Sequence, residues 1–192
     1  VKTKYFNVDD ALHKAVNVFW SHGYEASSMQ TLQDEMGIRR QSLYDTFGNK
    51  RDLFLASLDY YHANVIIPNF SLILNASSPK KGIKTYFNQR IKDVDNPKVI
   101  PGCLVTNSLS ELGLSDELVI KRTKRTLEYM ENVFYQALIK AKELGEVSAD
   151  KEPKLIALQL LNNAQGLFVI SKSGMSQKRL KLLVNNFLII LD

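Results

Sequence analysis

The sequence predicts an all-α protein, and three observations carry that expectation. Apolar residues recur at i+3/i+4 spacing through nearly every segment. No stretch alternates with the two-residue period of a half-buried strand. The segments are also punctuated as helices are: polar caps (Asn7, Ser27 or Ser28, Asn49) open them, and Gly23, Gly37 and Gly48 close them.

Helix one is expected from Val8 to His22, with Asn7 as N-cap, Asp10 as its capping-box partner and Leu12, Val16 and Phe19 as its buried stripe. A short second helix, "SMQTLQDEM", stops at Gly37, and a third, "RRQSLYDTF", stops at Gly48. Asn49 caps a long fourth helix, with Asp52 completing the box. Its stripe is Phe54, Leu58, Tyr61 and Val65, and Pro68 is expected to end it. A helix near residues 80–94 follows, then the breaker "VIPGC" and a helix over residues 103–112. The longest helix is expected from Asp116 to Leu144, with Leu127, Met130, Phe134, Ala137, Ala141 and Leu144 on one face. After the loop "GEVSADKEP" come two last helices, near residues 152–172 and 176–191.

A chain of 192 residues that is 45% hydrophobic can bury one core or two small ones. The single cysteine, Cys103, excludes an intrachain disulfide framework and fits a reducing compartment. No signal peptide and no uncharged apolar run of about 18 residues is seen, so a cytoplasmic protein without a membrane partner is expected.

The net charge of +5 suggests an acidic partner, and its distribution suggests where that partner binds. Residues 1–62 carry seven cations and eight anions, so the segment as a whole is not basic. Between Gly37 and Arg51, however, Arg39, Arg40, Lys50 and Arg51 face only one anion, Asp45. Two short helices meeting at Gly37 describe a helix-turn-helix, packed internally through Leu32, Met36, Ile38 and Leu43. The second helix then presents Arg40, Gln41, Tyr44, Asp45 and Thr46 outward. Arg pairs bidentately with guanine and Gln with adenine, as a major groove requires. Ser27, Tyr44 and Lys50 suit phosphate oxygens. Lys50 also opens helix four, where unpaired N–H groups and the helix dipole favour an anion.

The segment "ALHKAVNVFWSHGYEASSMQTLQDEMGIRRQSLYDTFGNKRDLF" resembles the N-terminal DNA-binding domain of TetR-type transcriptional regulators. The "FWSHGYEASSM" junction, the "GI" turn and "SLYDTFGNKRDLF" carry the likeness. "PGCLVTNSLSELG" looks like a segment found in one subset of these regulators. The resemblance implies a helix-turn-helix DNA-binding domain over residues 1–48 and a ligand-binding and dimerisation domain over residues 49–192. Its expected partners are double-stranded palindromic operator DNA, a second copy of the chain and a small, hydrophobic effector whose binding releases the DNA. No cofactor, metal or enzymatic activity is implied, and the regulator is expected to act as a repressor. The DNA-contacting set is Ser27, Ser28, Arg39, Arg40, Gln41, Ser42, Tyr44, Asp45, Thr46 and Lys50. Two positions depart from the family pattern. Gln33 stands where a small residue usually faces the recognition helix. Arg39 takes the usual Ser/Thr capping position, so a side-chain cap is not expected there.

For the effector, Tyr61, His62, Val65, Cys103, Leu104, Asn107 and Met130 are the expected neighbours, within a wider set including Tyr60, Asn64, Tyr86, Tyr129 and Gln165. The last helix ends in "FLIIL", apolar on every side, and so must be covered. Burial within the monomer would cover it equally well; the resemblance adds a dimer, and with it Leu158, Leu161, Gly166, Phe168, Leu180, Leu183, Phe187 and Leu191 are expected at an isologous interface. Two alternatives stand beside this reading. Cys103 follows Pro-Gly at a helix start, a setting for a thiol or electrophile sensor. Asp10-x-x-His13 and Asp59-x-x-His62 echo the carboxylate–imidazole spacing of metal-dependent helical bundles, but no further inward carboxylates accompany them.

Overall fold

A computed structural model describes residues 6–192, and every regular element among them is helical. α1 (Val8–His22), α2 (Met29–Met36) and α3 (Arg40–Phe47) form a compact N-terminal unit. Asn7 caps α1 by accepting from the Asp9 and Asp10 amides. Asp10 turns to Lys14 (3.0 Å) rather than completing a capping box. Ser28, not Ser27, caps α2. Gly37 ends α2 in the left-handed region (φ 67°), which reverses the chain within one residue and lets α3 cross it. Leu32, Met36, Ile38 and Leu43 are all buried in the angle so formed, as expected. Beneath them the Phe19 ring meets Phe54 of the next helix edge-on at 4.9 Å.

α4 (Lys50–Tyr61) opens with the full Asn49/Asp52 capping box. It does not end at Pro68. The helix widens into a π turn over His62–Ile66 and continues as α5 (Ile67–Leu74). The proline sits in the first turn of α5, where its missing N–H and its ring are tolerated by the wider turn. α6 (Pro79–Asp93), α7 (Leu104–Leu112), α8 (Glu117–Glu143), α9 (Pro153–Ser171) and α10 (Gln177–Phe187) complete the body, with a final 3-10 turn at Leu188–Leu191.

α8 is the axle. Its Met130, Val133, Phe134 and Leu138 are buried against helices on several sides. Phe134 meets Phe70 of α5 at 5.3 Å and Phe87 of α6 at 5.9 Å. Phe87 then meets Phe187 of α10 at 4.9 Å. This aromatic chain ties α10 to the inside, and it corrects two expectations for the interface. Leu180 and Leu191 are fully buried within the monomer core. Among the described residues no helix is long and apolar enough to cross a membrane.

Candidate functional site

α3 is held by one buried residue, Leu43, and shows solvent the rest of its face. Arg39, Arg40, Gln41, Tyr44 and Asp45 are exposed, and Ser42 and Thr46 are half-buried. Gln41 donates to Asp45 Oδ1 (2.7 Å), one turn on, which pre-orients its amide. The Arg40 guanidinium lies 5.8 Å from the Tyr44 ring centroid. Arg39 makes no side-chain cap bond, as its chemistry predicts, and stays free beside the helix start. Gln33 lies half-buried in a cleft of about 160 Å3 between α2 and α3, where Arg40 and Tyr44 also line the wall.

The phosphate-facing residues are redistributed. Ser27 is fully buried and its hydroxyl donates to the Gly23 carbonyl, so its side chain is a turn brace and not a surface contact. Exposed Ser28 takes that place at the N-cap of α2. Lys50 Nζ lies 3.2 Å from the Glu25 carbonyl and 4.4 Å from the Tyr24 ring centroid, held at the end of the α1–α2 turn. Arg51, the fourth cation of the cluster, points the other way. It forks onto Asp116 (2.5 and 2.8 Å) at the N-cap of α8. That hydrogen-bonded pair holds the Asp116 carboxyl below its ordinary range.

Sequence reasoning missed Glu111. Its two carboxylate oxygens accept from the Tyr24 and Glu25 amides, each at 2.8 Å. A Cβ at Gly23 would come within 2.9 Å of Glu111 Oε2, and φ there is 84°. Only glycine lets the carboxylate reach the turn. Nothing local marks this contact, because its partners are 86 and 87 residues apart.

The comparisons with known proteins agree with this geometry. The family described as "Bacterial regulatory proteins, tetR family" matches residues 11–57. "Tetracyclin repressor-like, C-terminal domain" matches residues 79–187. The uncharacterized HTH-type transcriptional regulator YezE of Bacillus subtilis (strain 168) is 32% identical over 192 residues, spanning 100% of this chain and 99% of that protein. The chain belongs to the TetR family. The HTH-type transcriptional repressor ComR of Escherichia coli (strain K12) is 27% identical over 180 residues, 93% of this chain and 86% of that one. Among solved structures, a cysteine mutant of the TetR family regulator CifR, complexed with 26-base-pair double-strand operator DNA, superposes with a TM-score of 0.88 at 26% identity, covering 100% of both chains. The protein is thus a TetR-family transcriptional regulator with a helix-turn-helix DNA-binding unit.

In this TetR-family body the expected effector residues do not converge on one site. A cavity of about 50 Å3 lies beneath α1, between α4, α5, α6, α9 and the loop at residues 94–102. Of the expected set, Tyr61 and Val65 line it, as does Tyr86 of the wider set. Leu104 and Met130 are packed core, and His62 instead meets the Tyr129 ring at 5.3 Å. Burial, and secondarily Arg125, pushes the His62 pKa down. Asn107 lines a separate outer groove and bridges Lys172 Nζ (2.8 Å) to the Trp20 carbonyl (3.4 Å). Cys103 is fully buried at the N-cap of α7, with the Tyr61 hydroxyl donating to its Sγ at 3.6 Å. Trp20, Asn69, Arg90 and Phe168 line the cavity without having been expected there.

The expected interface residues separate into two groups. Leu158 and Leu183 are exposed, Leu161 and Phe187 are half-buried, and the space beside Gly166 is open. Leu180 and Leu191 belong to the core, and Phe168 turns toward the cavity. Leu155 and Val169 on α9, Leu182 on α10 and Ile189 in the final 3-10 turn are further exposed apolar residues of these elements. An open groove of about 520 Å3 runs between Leu158, Asn162, Phe187 and Ile190. The carboxylate–imidazole pairs do not assemble. Asp59 is bridged by Arg122 (2.9 Å) and Arg125 (2.7 Å). Among the described residues no three His, Cys, Asp or Glu side chains are grouped to hold a metal.

Proposed function

We propose that this regulator binds a palindromic operator as a homodimer, represses transcription there, and is released by a small, mainly apolar effector. One observation carries the DNA part: α3 stands clear of the body with Arg39, Arg40, Gln41, Tyr44 and Asp45 all exposed on an eight-residue helix. An ordinary solvated helix gives no reason to pair Arg with Gln on the face that a rigid turn presents. The operator-bound structure of CifR supports the same placement. Ser28 and Lys50 flank the helix and supply phosphate contacts.

Dimerisation rests on the apolar face of α9 and α10, which a second copy would cover by two-fold symmetry. It sets the spacing of the two recognition helices across successive major grooves. The effector part rests on the cavity, which touches α1 and α4 at once. A ligand favouring a different α1–α4 geometry shifts the population away from the DNA-competent spacing. A buried thiol bonded to Tyr61 is a packed group, so Cys103 is not assigned the sensing role.

Operator binding is the test. Arg40→Ala and Gln41→Ala should each relax specificity at particular base pairs, by about 1–3 kcal/mol per bidentate contact. Binding measured against a library of single-base operator variants reads this directly. If both substitutions left the base preference unchanged, α3 would not be the reading helix.

A further inference from the structure

The polar atoms on the cavity wall narrow the effector's chemistry. Among the described residues, two buried nitrogens of cavity-lining side chains have no hydrogen-bond partner: Trp20 Nε1 and Arg90 Nε. Both are donors and neither can accept. The Tyr61 hydroxyl already donates to Cys103. The wall thus holds two buried donors that none of its own acceptors reaches, and a guest that brings an acceptor satisfies a group the fold leaves bare.

Charge narrows it further. Arg90 is neutralised by Asp93 at 2.9 Å, contacts Asn69 at 3.4 Å and covers the Tyr86 ring at 5.6 Å. An anion would have to compete with Asp93, and a cation would find Asp93 already taken. The remaining wall is aromatic, with Trp20, Tyr61, Phe70 and Phe168, which suits a flat apolar body.

Size says what must move. The space of about 50 Å3 is below the range of ligand pockets, about 300–1,000 Å3. An outer groove of about 730 Å3 shares Trp20 and the strip Val99–Pro101 with it. Displacing that strip joins the two spaces, with the Trp20 indole on the common wall. Trp20 sits in the last turns of α1, four residues before the turn that Glu111 grips.

We infer that the cavity takes a flat, neutral, mainly apolar molecule carrying a carbonyl-type acceptor oxygen, and that this oxygen bonds Trp20 Nε1. The guest thereby presses on the DNA-binding unit itself and not only on the body. This rests on the effector-responsive reading above.

Trp20 is the sole tryptophan, so its fluorescence reports on the full-length protein without a label. Four probes of one shape separate the chemistries: acetophenone, ethylbenzene, benzoate and benzylammonium. Acetophenone should change Trp20 emission saturably and bind about tenfold tighter than ethylbenzene, the size of one good hydrogen bond. Both ions should bind more weakly than acetophenone, and operator release should follow the same order. Trp20→Phe keeps a ring against Tyr61 but removes the N–H. By calorimetry its preference for acetophenone over ethylbenzene should fall to within about twofold. Equal binding of ethylbenzene and acetophenone, tightest binding by either ion, or a preference that survives in Trp20→Phe would each overturn the assignment. So would operator binding intact with no probe bound, an outcome that leaves the DNA-binding reading standing. A protein that binds acetophenone at Trp20 but no operator would sink the proposed function instead.

Discussion

The α3 surface of the helix-turn-helix unit and the packed parts of the helical body treat charge differently. In the body, several carboxylates are paired internally: Asp59 with Arg122 and Arg125, Asp192 with Lys80 and Lys84, Asp93 with Arg90. Around α3, Arg39, Arg40 and Lys50 form no ion pair with another described residue, whereas Lys14 in α1 pairs with Asp10. Surface ion pairs contribute little to stability, so the contrast is not about holding the fold. It concerns availability. A cation kept free of carboxylates can meet a phosphate or a guanine without first breaking an ion pair.

Where the two regions meet, the polar contacts come from one corner of the body. Asn107 and Glu111 on α7 hold the end of α1 and the turn after it, and Asp116 at the start of α8 holds Arg51 at the start of α4. Both ends of the helix-turn-helix unit are thus tied to a short stretch that begins beside the cavity loop. These hydrogen bonds stand beside the aromatic packing of Phe19 and Tyr24 on Phe54 and of Trp20 on Tyr61.

The largest expected effect comes from breaking the proposed dimer. Leu158→Asp places a charge on the exposed face of α9, where a second copy would bury it. Sedimentation should show monomers, and operator affinity should fall by roughly 10²–10⁴-fold, the avidity lost with the second half-site. Leu180→Ala sharpens the contrast, because that residue is core. It should cost about 2–5 kcal/mol of stability without selectively dissociating the protein. A Leu158→Asp protein that still sediments as a dimer would move the interface elsewhere.

The same contrast explains what the sequence made legible. In the unit, the information is local: caps at Asn7, Ser28 and Asn49, stops at Gly23, Gly37 and Gly48, and four apolar residues between them. Each acts within a turn of its own position. In the body, the decisive facts are long-range. "FLIIL" is apolar all round, and it takes distant partners on α6, Phe87 for Phe187 and Lys80 and Lys84 for Asp192, to fix an end in which Leu191 turns inward while Ile189 stays out. Pro68 reads as a stop unless a π turn precedes it, and no residue type encodes that turn. The cavity draws one to three residues from each of several helices, and its α1 member, Trp20, lies in the part read as the DNA-binding unit.

An intermediate effect is expected at the joint. Glu111→Ala removes two charge-assisted bonds to backbone amides but no buried surface. The body should keep its melting temperature, while amide exchange at Tyr24 and Glu25 accelerates by on the order of 10- to 100-fold. Operator affinity should weaken by up to about tenfold, since each such bond is worth about 1.5–3 kcal/mol before solvent replaces it. Unchanged exchange at both amides would show that packing, not Glu111, holds the turn.

The smallest effect is the most diagnostic of what the free charges are for. Lys50 is parked on the Glu25 carbonyl and the Tyr24 ring, neither of which neutralises it. A single phosphate contact then accounts for about 0.9 of the slope of log affinity against log salt. Lys50→Ala should flatten the slope by that amount and weaken binding to operator and to unrelated DNA alike. Arg40→Ala should differ in kind, costing the operator more than unrelated DNA, because its partner is a base edge. Titrations over a range of salt on both DNAs separate the two. Were Lys50→Ala to change base preference while leaving the slope intact, the lysine would be reading sequence, and the division between positioning and reading residues drawn from this surface would have to be reversed.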